Sequence, residues 1–257
     1  MSAGELGVVL RTMPLREADL VVELYTASSG RITAMARGGR KSQRRFSGAL
    51  QLFVLGRYQL GRTRGEWREL QAADVVTEWT RLSSDVVAVA HASYIAELVN
   101  ALVPLEVPEP HVIELIVGLW DSLAEAGPSP AVLRAIELAL LNVSGHGTAL
   151  DVCAVCGSAV DGSAVFDPSR GGVVCQTCAG TSRGAGVRCV DDGVLAYLRA
   201  AASVRSPRDA RRLDTDPSFE RVDRTAGRDA VVAMVQGLVG RPLKSLEYIE
   251  KLGAAWR

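Results

Sequence analysis

The chain carries Cys153-Ala154-Val155-Cys156 and, after eighteen further residues, Cys175-Gln176-Thr177-Cys178. Two C-x-x-C pairs at this separation have the spacing of a four-thiolate structural zinc site. Two residues between paired cysteines let a tight turn aim both sulfurs at one tetrahedral ion, and a second turn supplies the other two. Gly157 follows the first pair, where a residue free to take positive φ suits the turn. Between the pairs, Ala164-Val165-Phe166 and Gly172-Val173-Val174 read as short strands joined by a turn at Asp167 to Gly171. The expectation is a zinc ribbon holding one ion through Cys153, Cys156, Cys175 and Cys178. The competing readings are small buried apolar residues and disulfide partners, and disulfides need an oxidising compartment that nothing in the sequence indicates. Cys189 is left over as a free, partly buried thiol. With four protein ligands and no open position, such a metal is structural, not catalytic.

At 257 residues the chain has room for two domains, or for one core with an insertion. Its formal net charge of zero hides a division. Residues 1 to 80 hold twelve Lys and Arg against eight Asp and Glu, whereas residues 81 to 150 hold two against eight. Such asymmetry assigns different partners to different faces. Met1-Ser2-Ala3-Gly4-Glu5 lacks the basic and apolar regions of a signal peptide, and no apolar run is long enough to span a membrane. The expectation is a soluble cytoplasmic protein with no membrane partner.

Residues 7 to 78 read as β structure: Gly7 to Arg11, Asp19 to Thr26, Arg31 to Ala36, Gln51 to Leu60 and Trp67 to Val76. Five short strands in about seventy residues predict a small closed barrel of the OB type, with a sandwich or an SH3-like barrel as alternatives. From Arg31 to Arg68 ten basic residues face one acid, Glu66. Nine of them, Arg31, Arg37, Arg40, Lys41, Arg44, Arg45, Arg57, Arg62 and Arg64, are candidate DNA contacts. They are densest in the loop from Arg37 to Phe46, where Gly38 and Gly39 let the backbone approach a polyanion and guanidinium groups can bind phosphate oxygens. Phe46, Phe53, Tyr58 and Trp67 lie among these charges. Facing inward they are core; facing outward they could stack on bases.

From Leu82 the pattern becomes helical. Ser83-Ser84-Asp85 caps a helix ending before Pro104, a second runs from Pro108-Glu109-Pro110 to Gly127, and Ser129-Pro130 caps a third to Val143. After the ribbon, Asp191-Asp192 caps a helix through Ala202, and further helices cover Asp229 to Val239 and Ser245 to Leu252. Between them, Arg205 to Arg228 mixes arginines with acids at a spacing that favours surface ion pairs over a DNA patch. The fold class expected is α+β: an OB-fold domain over 1 to 80, then an all-helical domain over 81 to 257, interrupted by the zinc ribbon at 151 to 182.

No P-loop, G-x-S-x-G, H-E-x-x-H or strand-borne G-x-G-x-x-G occurs. His91, His111 and His146 are dispersed, and the helical acids show no grouping suited to two-metal nuclease chemistry. A binding protein is expected instead of an enzyme.

The succession of basic barrel, helices and inserted ribbon resembles the bacterial recombination mediator family RecO. The likeness extends to residues: Gly7 to Arg11 with Glu17-Ala18-Asp19 and Leu24-Tyr25-Thr26; Gly30-Arg31 with Ala36 to Lys41; Leu50 to Phe53; Arg134 to Leu141 running into Cys153 to Gly157; and Gly240 to Ser245. It covers nearly the whole chain. Gly145-His146-Gly147-Thr148 departs from the family's usual approach to the first cysteine pair, and Ala135-Ile136 replaces a commoner aromatic.

The resemblance implies an OB-fold that binds single- and double-stranded DNA and anneals complementary strands. It also implies cooperation with RecR in loading RecA onto DNA coated by single-strand-binding protein, in the bacterial cytoplasm at the nucleoid. Sequence-independent phosphate binding by a basic loop suits that role. It further offers Arg134 as a contact for the acidic tail of single-strand-binding protein, an ordinary surface arginine being the other reading. From a different class, an RNA- or ribosome-associated factor would also combine a barrel with a zinc ribbon.

Overall fold

The computed structural model describes residues 4 to 253, without the side chains of Gln43 and Arg64. It forms two compact units that divide between Gly127 and Pro128.

In the first unit, strands β1 (Glu5–Pro14), β2 (Leu20–Thr26), β3 (Gly30–Ala36), β4 (Val54–Arg64) and β5 (Trp67–Glu78) close a barrel in the order β1-β2-β3-β5-β4. Only β3 and β5 run parallel, at Ala34 with Arg68 and Met35 with Glu69; the other strand pairs are antiparallel. This is the OB arrangement that the strand count and the turns predict. Strict alternation along β3 sends Ile32, Ala34 and Ala36 into the core and leaves Arg31, Thr33 and Met35 outside. A short helix, α1 (Gln43–Phe46), ends the basic loop by plugging the barrel with Phe46 beside Tyr58 and Leu70.

β4 starts three residues later than expected, because Gln51 and Leu52 form a bend and Phe53 takes φ 64°. Phe53 thereby meets Trp120 edge-on, with ring centroids 5.7 Å apart. Trp120 belongs to α4 (Pro110–Ala126), which follows α2 (Thr80–Ser83) and α3 (Val86–Leu102). Asp85 caps α3, its carboxylate accepting from the amides of Val87 and Ala88. These helices belong to the barrel's unit. Trp79 lies 5.2 Å from Trp120 and donates to Asp121 at 2.8 Å, and the Tyr25 hydroxyl donates to the Glu109 carbonyl at 2.8 Å. The boundary drawn from sequence at 80/81 marks where strands give way to helices. The division into compact units comes at 127/128, so α3 and α4 belong to the barrel's unit, where α3 packs on β1 and Trp120 of α4 meets Phe53.

In the second unit, α5 (Pro130–Val143) precedes a three-stranded sheet of β6 (Ala164–Asp167), β7 (Gly172–Val174) and β8 (Arg188–Val190) in the order β7-β6-β8. Helices α6 (Asp192–Ser203), α7 (Pro207–Arg212), α8 (Arg224–Val239) and α9 (Lys244–Leu252) follow. α5 packs on α6, α7 and α8, so the helical core closes across the inserted ribbon. β8 extends the ribbon sheet beyond 182, being too short for periodicity to reveal, and it leaves Cys189 exposed instead of partly buried. The stretch from 205 to 228 forms ion pairs of the kind its mixed signs predict, including Arg212 with Asp209 at 3.4 Å and Arg224 with Asp214 at 3.6 Å. Among the described residues, no helix is long and apolar enough to cross a membrane.

Candidate nucleic-acid interface and metal centre

The basic loop leaves β3 at Arg37. Asp19 fixes its start by accepting the Gly38 amide at 2.8 Å, and Gly38 takes φ 67° where the chain reverses. Arg37, Arg40, Lys41, Arg44 and Arg45 are all exposed. Lys41 meets Glu17 at 2.7 Å, and Arg40 donates to the Glu17 carbonyl at 3.2 Å. Arg45 donates to the Arg37 carbonyl and lies 5.0 Å from the Phe46 ring centroid, so its guanidinium braces the loop against the plugging aromatic. These contacts order the loop and keep five cations at the surface, a geometry suited to successive phosphates.

The remaining candidates divide. Arg57 and Arg62 are exposed on β4, whereas the Arg64 side chain lies outside the described residues. Arg31 is half-buried; it donates to the Val103 carbonyl at 2.7 Å and to Asn100 at 3.3 Å, latching the end of α3. Burial lowers its pKa, while the nearby Glu23 carboxylate acts in the opposite direction. Arg31 thus serves the packing of its own unit. Phe46, Phe53 and Tyr58 are core, as the inward reading has it, and Trp67 alone of the four is partly exposed.

Beside the loop, Met35, Arg37, Trp67, Arg68 and Glu69 line an open groove. It forms because β3 and β5 pair at only two positions and then diverge. The sequence shows each of these residues but not the parallel pairing of distant strands that assembles them.

Arg134 is 2% exposed and pairs within α5 with the fully buried Glu137. This corrects its reading as a surface arginine: an arginine held this way is part of the helical core and is not offered to a partner's tail. His91 is buried, and its Nδ1 lies 2.7 Å from the Val87 carbonyl, whereas His111 is exposed beside Glu114 and His146 is exposed in a loop.

In the ribbon, the Sγ atoms of Cys153, Cys156, Cys175 and Cys178 all lie within 4.8 Å of one another. Cys156 and Cys175 sulfurs are 3.9 Å apart. A tetrahedral tetrathiolate with metal–sulfur bonds of about 2.3 Å needs sulfurs about 3.8 Å apart, so the four residues fit a bound metal ion. Gly157 takes φ 74°, as the turn requires, and its amide donates to the Cys153 carbonyl at 2.9 Å. The amides of Cys175 and Val155 donate to the Cys153 sulfur at 3.3 and 3.4 Å. The Cys175 amide is the largest cause bringing the Cys153 thiol down to about 6, and the Ser158 hydroxyl lowers Cys156. Hydrogen bonds to the sulfurs of Cys175 and Cys156, with burial and the charges of those sulfurs adding less, push Cys178 up to about 12.

Residues 1–79 match the family model described as recombination protein O N terminal, and residues 83–247 match recombination protein O C terminal. The chain belongs to the RecO family. The DNA repair protein RecO of Anaeromyxobacter sp. (strain K) is 36% identical over 258 residues, covering 96% of this chain and 95% of that one. The protein of that name from Symbiobacterium thermophilum is 33% identical over 261 residues, covering 97% of each chain. That from Geobacter sulfurreducens is 38% identical over 172 residues, covering 66% of this chain and 70% of its own. Membership of the RecO family places the chain in DNA repair and recombination. The seam between the two matched models, at 79 to 83, follows the change from strand to helix, whereas the packing seam lies at 127/128.

Proposed function

We propose that this protein is a non-enzymatic recombination mediator of the bacterial cytoplasm, associated with the nucleoid. Its barrel binds single- and double-stranded DNA without reading sequence and anneals complementary strands. With RecR, it helps to load RecA onto DNA coated by single-strand-binding protein. The ion held by Cys153, Cys156, Cys175 and Cys178 is zinc, serving structure; its four thiolate ligands leave no position for substrate. Annealing requires that two phosphate backbones be neutralised together and involves no covalent step.

The observation that carries this reading is the display of Arg37, Arg40, Lys41, Arg44 and Arg45 on one ordered loop of a closed barrel. Each phosphate contact contributes a slope of roughly 0.7 to 0.9 in log affinity against log salt. Fluorescence anisotropy with labelled single-stranded DNA across a salt series, with duplex and structured RNA as competitors, tests it. Wild-type affinity is expected to fall steeply with salt. Substituting Arg40→Glu, Lys41→Glu, Arg44→Glu and Arg45→Glu together is expected to abolish binding to both DNA forms and leave the fold intact. Unchanged affinity at physiological salt would overturn the reading, and a strong preference for structured RNA would move the protein to an RNA-associated role.

A further inference from the structure

The groove beside the loop has a chemistry that phosphate binding leaves unused. Alternation along β3 puts Met35 on the outer face, opposite in direction to the buried Ala34 and Ala36, and the exposed Arg37 directly follows the strand. The parallel register sets Met35 against Glu69, so Trp67, two residues before Glu69, shares that face. Trp67 also faces Arg64 across the β4–β5 hairpin, which places its ring at the base of the turn. Trp79 and Trp120 are used in the core, where Trp120 is completely buried, but Trp67 is partly exposed within an open groove. A partly exposed indole that lines one groove with Met35 and Arg37 offers an apolar platform of the size of one planar ring.

Charge sets the direction in which a strand would cross it. Arg37 is exposed at the end of the groove that continues into the loop. Glu69 also lines the groove and brings a negative charge to it, which disfavours phosphate beside it. Arg68 is occupied at the wall, donating to the Ser29 hydroxyl at 3.0 Å and lying 3.6 Å from Glu106. A phosphodiester therefore passes on the Arg37 side, and the base attached to it falls over Trp67. A base paired within a duplex has both faces covered by its stacked neighbours and cannot make this contact.

We propose that the groove between β3 and β5 is a stacking site for one unpaired nucleobase, with Trp67 as its platform and Arg37 as the adjoining phosphate contact. The site rests on the DNA-binding reading above and adds to it a means of telling single strands from duplex.

The test compares three labelled ligands of equal length: a single strand, the same backbone made of abasic sites, and a duplex. Wild-type protein is expected to bind the base-bearing strand more tightly than the abasic one. Trp67→Ala is expected to weaken binding of the base-bearing strand by roughly 5- to 150-fold, the range of one lost stacking contact. Abasic-strand and duplex affinities and the salt slope should stay unchanged, because no charge is altered. Trp67→Phe keeps a π face and should keep most of the preference. Equal wild-type affinity for base-bearing and abasic strands would overturn the site without reference to any variant's folding, as would a Trp67→Ala loss shared equally by the duplex. If wild-type protein binds none of the ligands, the DNA-binding reading falls, and the stacking site with it. If the loop reversal abolishes binding while Trp67→Ala keeps the full single-strand preference, the stacking site alone falls.

Discussion

Arg134 and Glu137, one turn apart on α5, form a two-point ion pair inside the second unit. Nη1 lies 2.5 Å from Oε2, Nη2 donates to Oε1 at 2.8 Å, and the side chains are 2% and 0% exposed. Arg134 also donates to the Arg228 carbonyl at 3.3 Å, which ties α5 to α8. Desolvating two charges offsets most of their attraction, so the pair as a whole adds little, but either charge left alone in the core is costly. Arg134→Met is therefore expected to destabilise the second unit by about 3 to 5 kcal/mol, and Arg134→Met with Glu137→Leu to recover most of that loss. Urea denaturation followed by far-UV circular dichroism checks both. Equal destabilisation by the single and the double variant would show that the pair matters through shape and not through charge.

Arg31 separates packing from DNA contact. Its Nε donates to the Val103 carbonyl at 2.7 Å, just past the last turn of α3, where unpaired carbonyls and the negative end of the helix dipole favour a cation. Arg31→Ala should lower stability by about 1 to 3 kcal/mol, as expected for a charge-assisted hydrogen bond. It should leave the salt slope of DNA binding as in the wild type. A slope reduced by about 0.7 to 0.9, the share of one phosphate contact, would return Arg31 to the DNA path.

What the sequence makes legible follows from how local each cause is. The ribbon turns, the caps at Asp85, Ser129 and Asp191, and the alternation of β3 are set by neighbours within a few residues. They appear where the sequence places them. The basic loop is legible as composition and is found exposed. The burial of Arg134 is not legible, since the carbonyl it meets belongs to Arg228, 94 residues away. The fate of Arg31 is hidden in the same manner, because an arginine in a basic run looks like its neighbours until the end of α3 arrives beside it. The groove at Trp67 depends on the one parallel strand pair in the barrel, whose register no local pattern encodes. Long-range pairing is the common element in all three.

Asp167 makes the stability of the ribbon depend on pH. It is 1% exposed, and burial alone would raise its pKa. The hydroxyls of Ser169 and Ser182, the Ser169 amide at 3.0 Å and Arg170 at 3.3 Å outweigh burial and hold it below its ordinary value of 3.8. A carboxyl whose folded pKa is depressed stabilises the fold above its unfolded pKa and loses that contribution as pH falls through the folded value. Asp167→Asn should consequently be less stable than wild type at pH 7, and the gap should narrow as pH falls below about 4. Thermal unfolding at a series of pH values reads this directly, and a gap independent of pH would assign the loss to packing.

The cysteines divide by role in a way metal analysis can read. Cys153 is buried and accepts two backbone amides, Cys156 is exposed, and Cys175 and Cys178 are half-buried, yet their four sulfurs converge. Cys189 is exposed on β8 and stands outside that cluster. One equivalent of zinc is expected in the purified protein. Cys153→Ser and Cys175→Ser should each lose it and unfold at lower temperature, because metal binding and ribbon folding are coupled. Cys189→Ser should keep both the metal and the unfolding temperature. The barrel lies in the other compact unit. DNA affinity of the metal-free variants at low temperature should therefore match wild type, so loss of zinc and loss of DNA binding are separable measurements. Retention of the full equivalent in both Cys153→Ser and Cys175→Ser would refute the four-thiolate site, and loss of DNA binding in step with the metal would place the ribbon in the DNA path.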